Sequence, residues 1–227
     1  MTTFRILAIS LSWAVLASPL LCAGDLSRYR DFQIGTDLPT IAAQARMDPS
    51  QAKVIHRRPA LIQELQWYPQ PLGPSTQAES VREVVFSFYN GELYRIVIDY
   101  DRYKTEGLRA EDFIEAVSAT YGIATRVAAE IILPSIYGNN ETLEVLARWE
   151  DAQYSLNLVR FSHQPGFTLV ALSKRLDTLA RAVVIEAIRL DAQEAPQREI
   201  ELQKKQEEEN RVQQEKARLA NKPSFRP

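Results

Sequence analysis

Cysteine is almost missing from this chain: Cys22 is the only one among 227 residues. It lies inside an N-terminal stretch with the layout of a removable segment, so a chain cleaved after Gly24 has no cysteine at all. That excludes a cysteine nucleophile, a thiolate metal site and any disulfide, and the core alone must hold the fold. Histidine is nearly as scarce, with only His56 and His163. They fall in different halves, each in a loop-like context, and neither has metal-ligand spacing such as two histidines four apart on a helix. The eight glycines are dispersed and form no phosphate-cradling loop. Charge of one sign is also lacking. The formal net charge is −2, and the chain after residue 24 carries 26 basic and 29 acidic residues. That balance gives no footprint for nucleic acid.

The one long apolar run sits at the N-terminus. Residues 1–24, "MTTFRILAISLSWAVLASPLLCAG", open with a single basic residue, Arg5, and then run apolar from Ile6 to Leu16. Small-residue cleavage options follow, at Val15-Leu16-Ala17 or at Cys22-Ala23-Gly24. This is the order of a secretory signal peptide, so a periplasmic or secreted protein is expected, with no stable membrane span once the segment is removed. The run is short for a spanning helix. Leu21 before Cys22 is large where a lipid-modified cysteine normally follows a small residue, so a lipid anchor at Cys22 is not expected.

The stretch after it, 25–195, is long enough for one ordinary domain or two very small ones, and its halves, 25–122 and 123–195, are similar in the order of their elements though not in residue identity. "YRDFQIGTDLPTIAAQARM" reads as a short extended piece, a turn at Gly35-Thr36-Asp37 and a helix carrying Leu38, Ile41, Ala42 and Ala45. "ALIQELQWYPQPLGPS" reads as a strand ending at Pro69, then a Pro/Gly loop through Ser80. "VVFSFYNGELYRIVI", residues 84–98, is two apolar runs around Asn90-Gly91, a strong hairpin signal. Its even positions, Val84, Phe86, Phe88, Tyr94, Ile96 and Ile98, are all apolar or aromatic, whereas the odd set is mixed. A two-residue loop pairs even residues with odd ones and splits that apolar face. A three-residue loop, Tyr89-Asn90-Gly91, keeps even opposite even, so Phe88 opposite Glu92 and a bulged type I turn with a left-handed Gly91 are expected.

"LRAEDFIEAVSATYG" is an amphipathic helix, with Phe113, Val117 and Tyr121 four apart and Gly122 as its stop; it should cover the hairpin's apolar face. The second half echoes the order. "TLEVLARW", "YSLNLVRF" and "FTLVALS" read as strands, and "LDTLARAVVIEAIRL" as a helix with Leu176, Leu179, Ala180, Val183, Ala187 and Ile188 on one side. The expected fold is therefore α+β: antiparallel strands in two groups, strands then helix twice, each group covered by its helix. The segment 196–227 is a polar, charged extension, a solvated helix or disordered. Between Gln193 and Lys222 it holds seven acidic and seven basic residues. Glu201 to Lys205 and Glu207 to Arg211 have the favourable i,i+4 order, Lys204 to Glu208 the weaker reverse one. Ile200, Leu202, Val212 and Leu219 are too sparse for a sustained coiled-coil heptad.

Motifs with chemistry are few. No serine lies in a Gly-x-Ser-x-Gly elbow. Asp99, Asp101 and Glu106 lie close in sequence but lack the glycine and the twelfth-position glutamate of a calcium hand. Glu111, Asp112 and Glu115 read as a helix start, since paired glycosidase carboxylates come from separate elements. "NET" at Asn140 fits a glycosylation acceptor, which matters only in a eukaryotic secretory host. No catalytic residue, metal ligand or cofactor is expected. "HRRP" with Trp67 nearby offers Arg57 and Arg58 as a small basic, aromatic-flanked patch for an anionic partner. The mixed face of the hairpin, with Leu93, Arg95 and Val97, is a second candidate docking surface.

The order over residues 29–100 resembles the helix-plus-hairpin module of exported bacterial proteins, as in the SmpA/OmlA lipoproteins and the beta-lactamase-inhibitor-protein fold. Phe88-Tyr89-Asn90-Gly91-Glu92-Leu93 matches their Phe-x-Asn-Gly-x-Leu strand, with the Trp67-Tyr68 strand before it. The whole chain is also similar to uncharacterised exported bacterial proteins. The resemblance implies binding or envelope assembly rather than a reaction. The expected function is a non-enzymatic exported module that contacts another envelope protein through its sheet face or its tail. The alternatives are a periplasmic hydrolase using carboxylates, or a structural protein that self-associates through its tail.

Overall fold

A computed structural model of the chain describes residues 24–69, 80–126, 129–134, 140–161, 166–223 and 226. The expected signal segment up to Ala23, including Cys22, most of the Pro/Gly loop and His163 lie outside the described residues, as does the Asn140 side chain. The chain runs β1 (Arg28–Tyr29), β2 (Phe32–Gln33), α1 (Leu38–Gln44), a single 3-10 turn (Pro49–Gln51), then β3 (Lys53–His56) and β4 (Ile62–Trp67). The long hairpin is β5 (Val81–Tyr89) and β6 (Glu92–Tyr100). After α2 (Ala110–Tyr121) come β7 (Ala129–Pro134), β8 (Asn140–Glu150), β9 (Tyr154–Phe161) and β10 (Thr168–Ser173), and the chain closes with α3 (Lys174–Asn221).

The architecture is α+β. The two expected groups of strands are the halves of one antiparallel eight-stranded sheet, ordered β3-β4-β5-β6-β10-β9-β8-β7. Each group is a four-strand meander, and the last strands of the two meanders meet at the centre, Ile98 opposite Leu169 and Ile96 opposite Ala171. β1 and β2 form a separate two-stranded ribbon. β3 and β7, neither of which the sequence pattern showed, are the two outer strands.

One main core lies on a single face of the sheet and takes residues from both halves. Phe86, Phe88, Leu93, Ile96 and Ile98 from the hairpin meet Trp149, Leu156, Leu158 and Leu169 from the second meander. The lids on this face are the β1–β2 ribbon, α1 and α2 together. Phe32 of the ribbon packs on Phe86 and edge-on to Trp67, with ring centroids 4.6 and 5.3 Å apart. α1 starts where Asp37 accepts a hydrogen bond from the Thr40 N–H at 2.8 Å, and buries Leu38, Ile41 and Ala42. In α2 the Asp112 carboxylate accepts the Arg109 N–H at 2.7 Å, and Phe113 stacks against Phe167 and edge-on to Tyr100. Gly122, at φ 90°, stops the helix. The Trp149 indole N–H donates to the Gly122 carbonyl at 3.0 Å. The opposite face carries two smaller clusters. One joins Val159, Val170, Leu143 and Leu172 with Val97; the other joins Ile62 and Tyr94 to Leu176 and Ala180 of α3.

The hairpin turn corrects the sequence expectation. Phe88 pairs with Leu93 and Tyr89 with Glu92, so the loop has two residues. Asn90 and Gly91 both have positive φ, 50° and 84°, the signature of a type I′ turn. The extra residue that parity requires is a bulge inside β6: Ser87 opposes Arg95 and Phe88 opposes Leu93, leaving Tyr94 unpaired. From there even residues pair with even ones, Phe86 with Ile96 and Val84 with Ile98. The bulge also exchanges faces. Leu93 enters the main core, and Tyr94 joins the α3 side beside Arg95.

The extension is helical and does not begin as a separate element. α3 is one helix of 48 residues that passes through Pro196, about 72 Å long at the standard rise. Arg198 donates to the Asp191 carbonyl at 2.9 Å, in the turn before the proline. The packed side of α3 is also narrower than its pattern indicated. Leu176, Ala180 and Ala187 are buried, but Leu179 and Ile188 are exposed, because the helix packs on the body only along a narrow line, with Val183 and Val184 half-buried beside it.

Candidate functional site

The bulge at Tyr94 and the N-terminus of α3 build a buried cluster of opposite charges. Arg95 retains 3% of its exposure. Its Nη2 lies 2.9 Å from Asp177 Oδ1, and its Nε donates to the same oxygen at 3.1 Å. Nη2 also reaches the Tyr94 hydroxyl at 3.2 Å, and the guanidinium sits 5.0 Å from the centre of the Tyr94 ring. The second Asp177 oxygen accepts Arg181 Nε at 2.6 Å, one turn along the helix. Asp177 stands in the first turn of α3, where a carboxylate also complements the helix dipole. Ser173 caps the helix, its Oγ accepting the Leu176 N–H at 3.4 Å.

Glu64 of β4 lies beside this cluster, and the Ser87 hydroxyl donates to it at 3.4 Å. Burial pushes the Glu64 carboxyl above the usual carboxylate range, against the opposing pull of the Arg95 charge, the Ser87 hydrogen bond and Lys53. Burial likewise raises the Tyr94 phenol, which the Arg95 charge partly offsets. The arrangement fits a clamp: opposite charges, fully hydrogen-bonded, that fix the start of α3 on the sheet.

The expected docking residues separate into different roles. Leu93 is wholly enclosed in the main core, and Arg95 is enclosed under α3, so neither presents itself to a partner; this corrects the hairpin face as an open surface. The cause is the bulge, which turns Leu93 inward and brings Arg95 to the helix. Val97 is half-buried against the Val170 cluster. Trp67 is half-buried among Phe32 and Phe86. Arg57 is exposed. Arg58 does hold anions, but they belong to this chain. It grips Glu194 through both guanidinium nitrogens, Nη1 at 2.6 Å, and reaches Asp191 at 3.6 Å. Arg198 closes the group on Asp191 at 3.1 Å. His56 is not in a loop; it ends β3, opposite Ile62.

Beyond Glu194 no described residue covers the helix. Every described residue from Ala195 to Pro223 is exposed, including Ile200, Leu202, Val212 and Leu219. Arg211 pairs with Glu208, three residues back, where Glu207 was the expected partner, and Arg218 pairs with Glu215. Among the described residues no three His, Cys, Asp or Glu side chains group as a metal set. A surface cleft between the β6–α2 loop and Gly166–Phe167 has one carboxylate, Glu106, and one beside Ile34 and Tyr154 has one, Glu92. No helix is long and apolar enough to cross a membrane among the described residues. Local spacing points to Asp177 and Arg181, four apart, but nothing in the sequence joins them to Arg95.

No family model, no curated protein and no solved structure matches the chain.

Proposed function

We propose that this protein is an exported, non-enzymatic binding module that docks another envelope protein through the outer part of α3. The observation that carries the proposal is the helix itself. A clamp at Arg95–Asp177 and a second grip at Arg58–Glu194 fix its first twenty or so residues to the body, and among the described residues the remainder is exposed. Most helical stability in proteins comes from packing an apolar face, and the exposed part of this helix packs against no described residue. Contact with a partner stabilises it, and the two grips set the direction in which it projects. The N-terminal layout supports a periplasmic or secreted location. The resemblance of residues 29–100 to the SmpA/OmlA module supports a role in binding rather than catalysis. Arg57, exposed and next in sequence to Arg58, is an additional candidate contact.

The test is a crosslinking pulldown from the envelope fraction, comparing the full chain with one ending at Ala195, which keeps both grips. A partner captured by the full chain alone supports docking through the arm. A partner captured equally by both moves the contact to the body and overturns the proposal.

A further inference from the structure

The free part of α3 is not uniform in charge. Residues 199–209 hold five acidic and two basic side chains, whereas residues 210–222 hold four basic and one acidic. One half of the arm is therefore net −3 and the other net +3. Such a helix is complementary to itself when reversed. We infer that the first partner of the arm is a second copy of this chain, paired antiparallel along residues 199–222. The inference rests on the reading of α3 as a docking arm.

The apolar residues of the arm agree with that orientation. In a seam that alternates steps of three and four, the positions are 202, 205, 209, 212, 216 and 219. Leu202, Val212 and Leu219 occupy three of them, with exposures of 67%, 43% and 58%. When two copies cross between Asn210 and Arg211, each Leu202 faces the Leu219 of the other chain. The pair of large apolar contacts then closes both ends of the seam. Val212 lies near the centre, opposite Glu209. Lys205 faces Lys216 in two symmetry-related like-charge layers, where both stems lie along the seam and both ammonium groups reach water, as the Glu209 carboxylate does beside Val212. A parallel pair instead sets acidic half against acidic half and basic against basic along its whole length. Charge thus decides orientation, while three apolar positions in six keep the association weak. The two-fold relation makes the contact self-limiting, so it forms a dimer and not a filament.

The test uses the full chain in a Cys22→Ser background, which leaves no native thiol. Sedimentation should show a concentration-dependent dimer whose dissociation constant rises about tenfold or more between 0.1 M and 1 M salt, as screening requires. A mixture of Leu202→Cys and Leu219→Cys proteins should form the mixed disulfide in preference to either homodimer. Charge variants separate folding from pairing. One replaces Glu199, Glu201, Glu207, Glu208 and Glu209 by Lys; the other replaces Arg211, Lys216, Arg218 and Lys222 by Glu. Each alone should be monomeric, and the two mixed should associate, with unchanged far-UV ellipticity of the body. A concentration-independent monomer overturns the inference, as does preferential Leu202→Cys homodimer formation, which means a parallel pair. A monomer whose arm still captures an envelope protein overturns this inference alone and leaves the docking-arm proposal standing.

Discussion

Arg95 on β6 and Asp177 in the first turn of α3 form a buried ion pair at 2.9 Å, across 82 residues of sequence. The pair joins the middle of the sheet to the helix that leaves it. Its geometry depends on the bulge at Tyr94, which puts the arginine and the tyrosine on one face and lets both serve the same carboxylate neighbourhood. The long helix is thereby positioned by the sheet rather than by its own sequence.

Breaking that pair from one side leaves a charge without its partner in a place that excludes water. Arg95→Ala and Asp177→Ala should each lower stability by about 3–5 kcal/mol. Replacing both at once, Arg95→Met with Asp177→Leu, should cost far less, because neither charge is then stranded. Urea unfolding of the three variants checks this. Single substitutions that move the midpoint no more than a surface change does would show that water reaches the site.

The hairpin turn makes a separate prediction. Gly91 has φ 84° and open space where a Cβ would stand, so Gly91→Ala carries only the conformational penalty, about 1 kcal/mol. Asn90 also has positive φ, but its side chain accepts the Leu61 N–H at 2.9 Å and its own N–H donates to the Leu61 carbonyl at 2.8 Å. Asn90→Ala loses the side-chain bond and the residue type that tolerates the turn, so it should cost about 2 kcal/mol. Denaturation of the two variants should rank them in that order. The reverse order would mean that the turn is held by its glycine alone.

These residues also show what the sequence could and could not reveal. Period-two alternation placed Phe86, Phe88, Ile96 and Ile98 on one face, and they are buried there. Parity showed that an extra residue was needed but not where, because a bulge in the turn and a bulge at Tyr94 restore the same pairing. Lys53–His56 and Ala129–Pro134 are short and lack alternation, so their pairing with β4 and β8 decides their structure and their own pattern does not. The boundary at 196 read from the turn to a polar, charged composition; composition does not mark where a helix ends, and α3 runs on through Pro196. Arg95 read as solvent-facing because it is charged. Its partner lies on a distant element, and no local spacing reports such a pair.

Glu64 gives the pH dependence of the clamp region. Its folded carboxyl titrates above the ordinary range because burial disfavours the charged form. The folded state therefore binds its proton more tightly than the unfolded chain does. This group contributes fully below the ordinary carboxylate range, and its contribution falls as pH rises through the raised value. Glu64→Gln cannot ionise, so it should raise the urea midpoint at pH 8, and the gain should shrink as pH approaches the ordinary carboxylate range. A gain that stays constant with pH would show that the carboxylate is not penalised by burial.

The second grip on the helix behaves differently, because it is exposed. Arg58 holds Glu194 and Asp191 at the point where α3 leaves the body, and each of these side chains is about half accessible. Such pairs add little to global stability and are screened by salt. Their effect is local: they hold the last packed turn before the arm. Arg58→Ala should leave the unfolding midpoint nearly unchanged but speed amide hydrogen exchange between Ile188 and Arg198. High salt should speed exchange in the same segment of the unaltered protein. The Arg58 hydrogen bonds hold the Glu194 carboxyl below its usual range, so the grip persists under mild acid and is lost as pH falls through that lowered value. Exchange in this segment should therefore depart from the intrinsic pH trend only in strong acid. Protection unaffected by Arg58→Ala would mean that the helix runs straight past the body on its own, and that the clamp at Asp177 alone sets its direction.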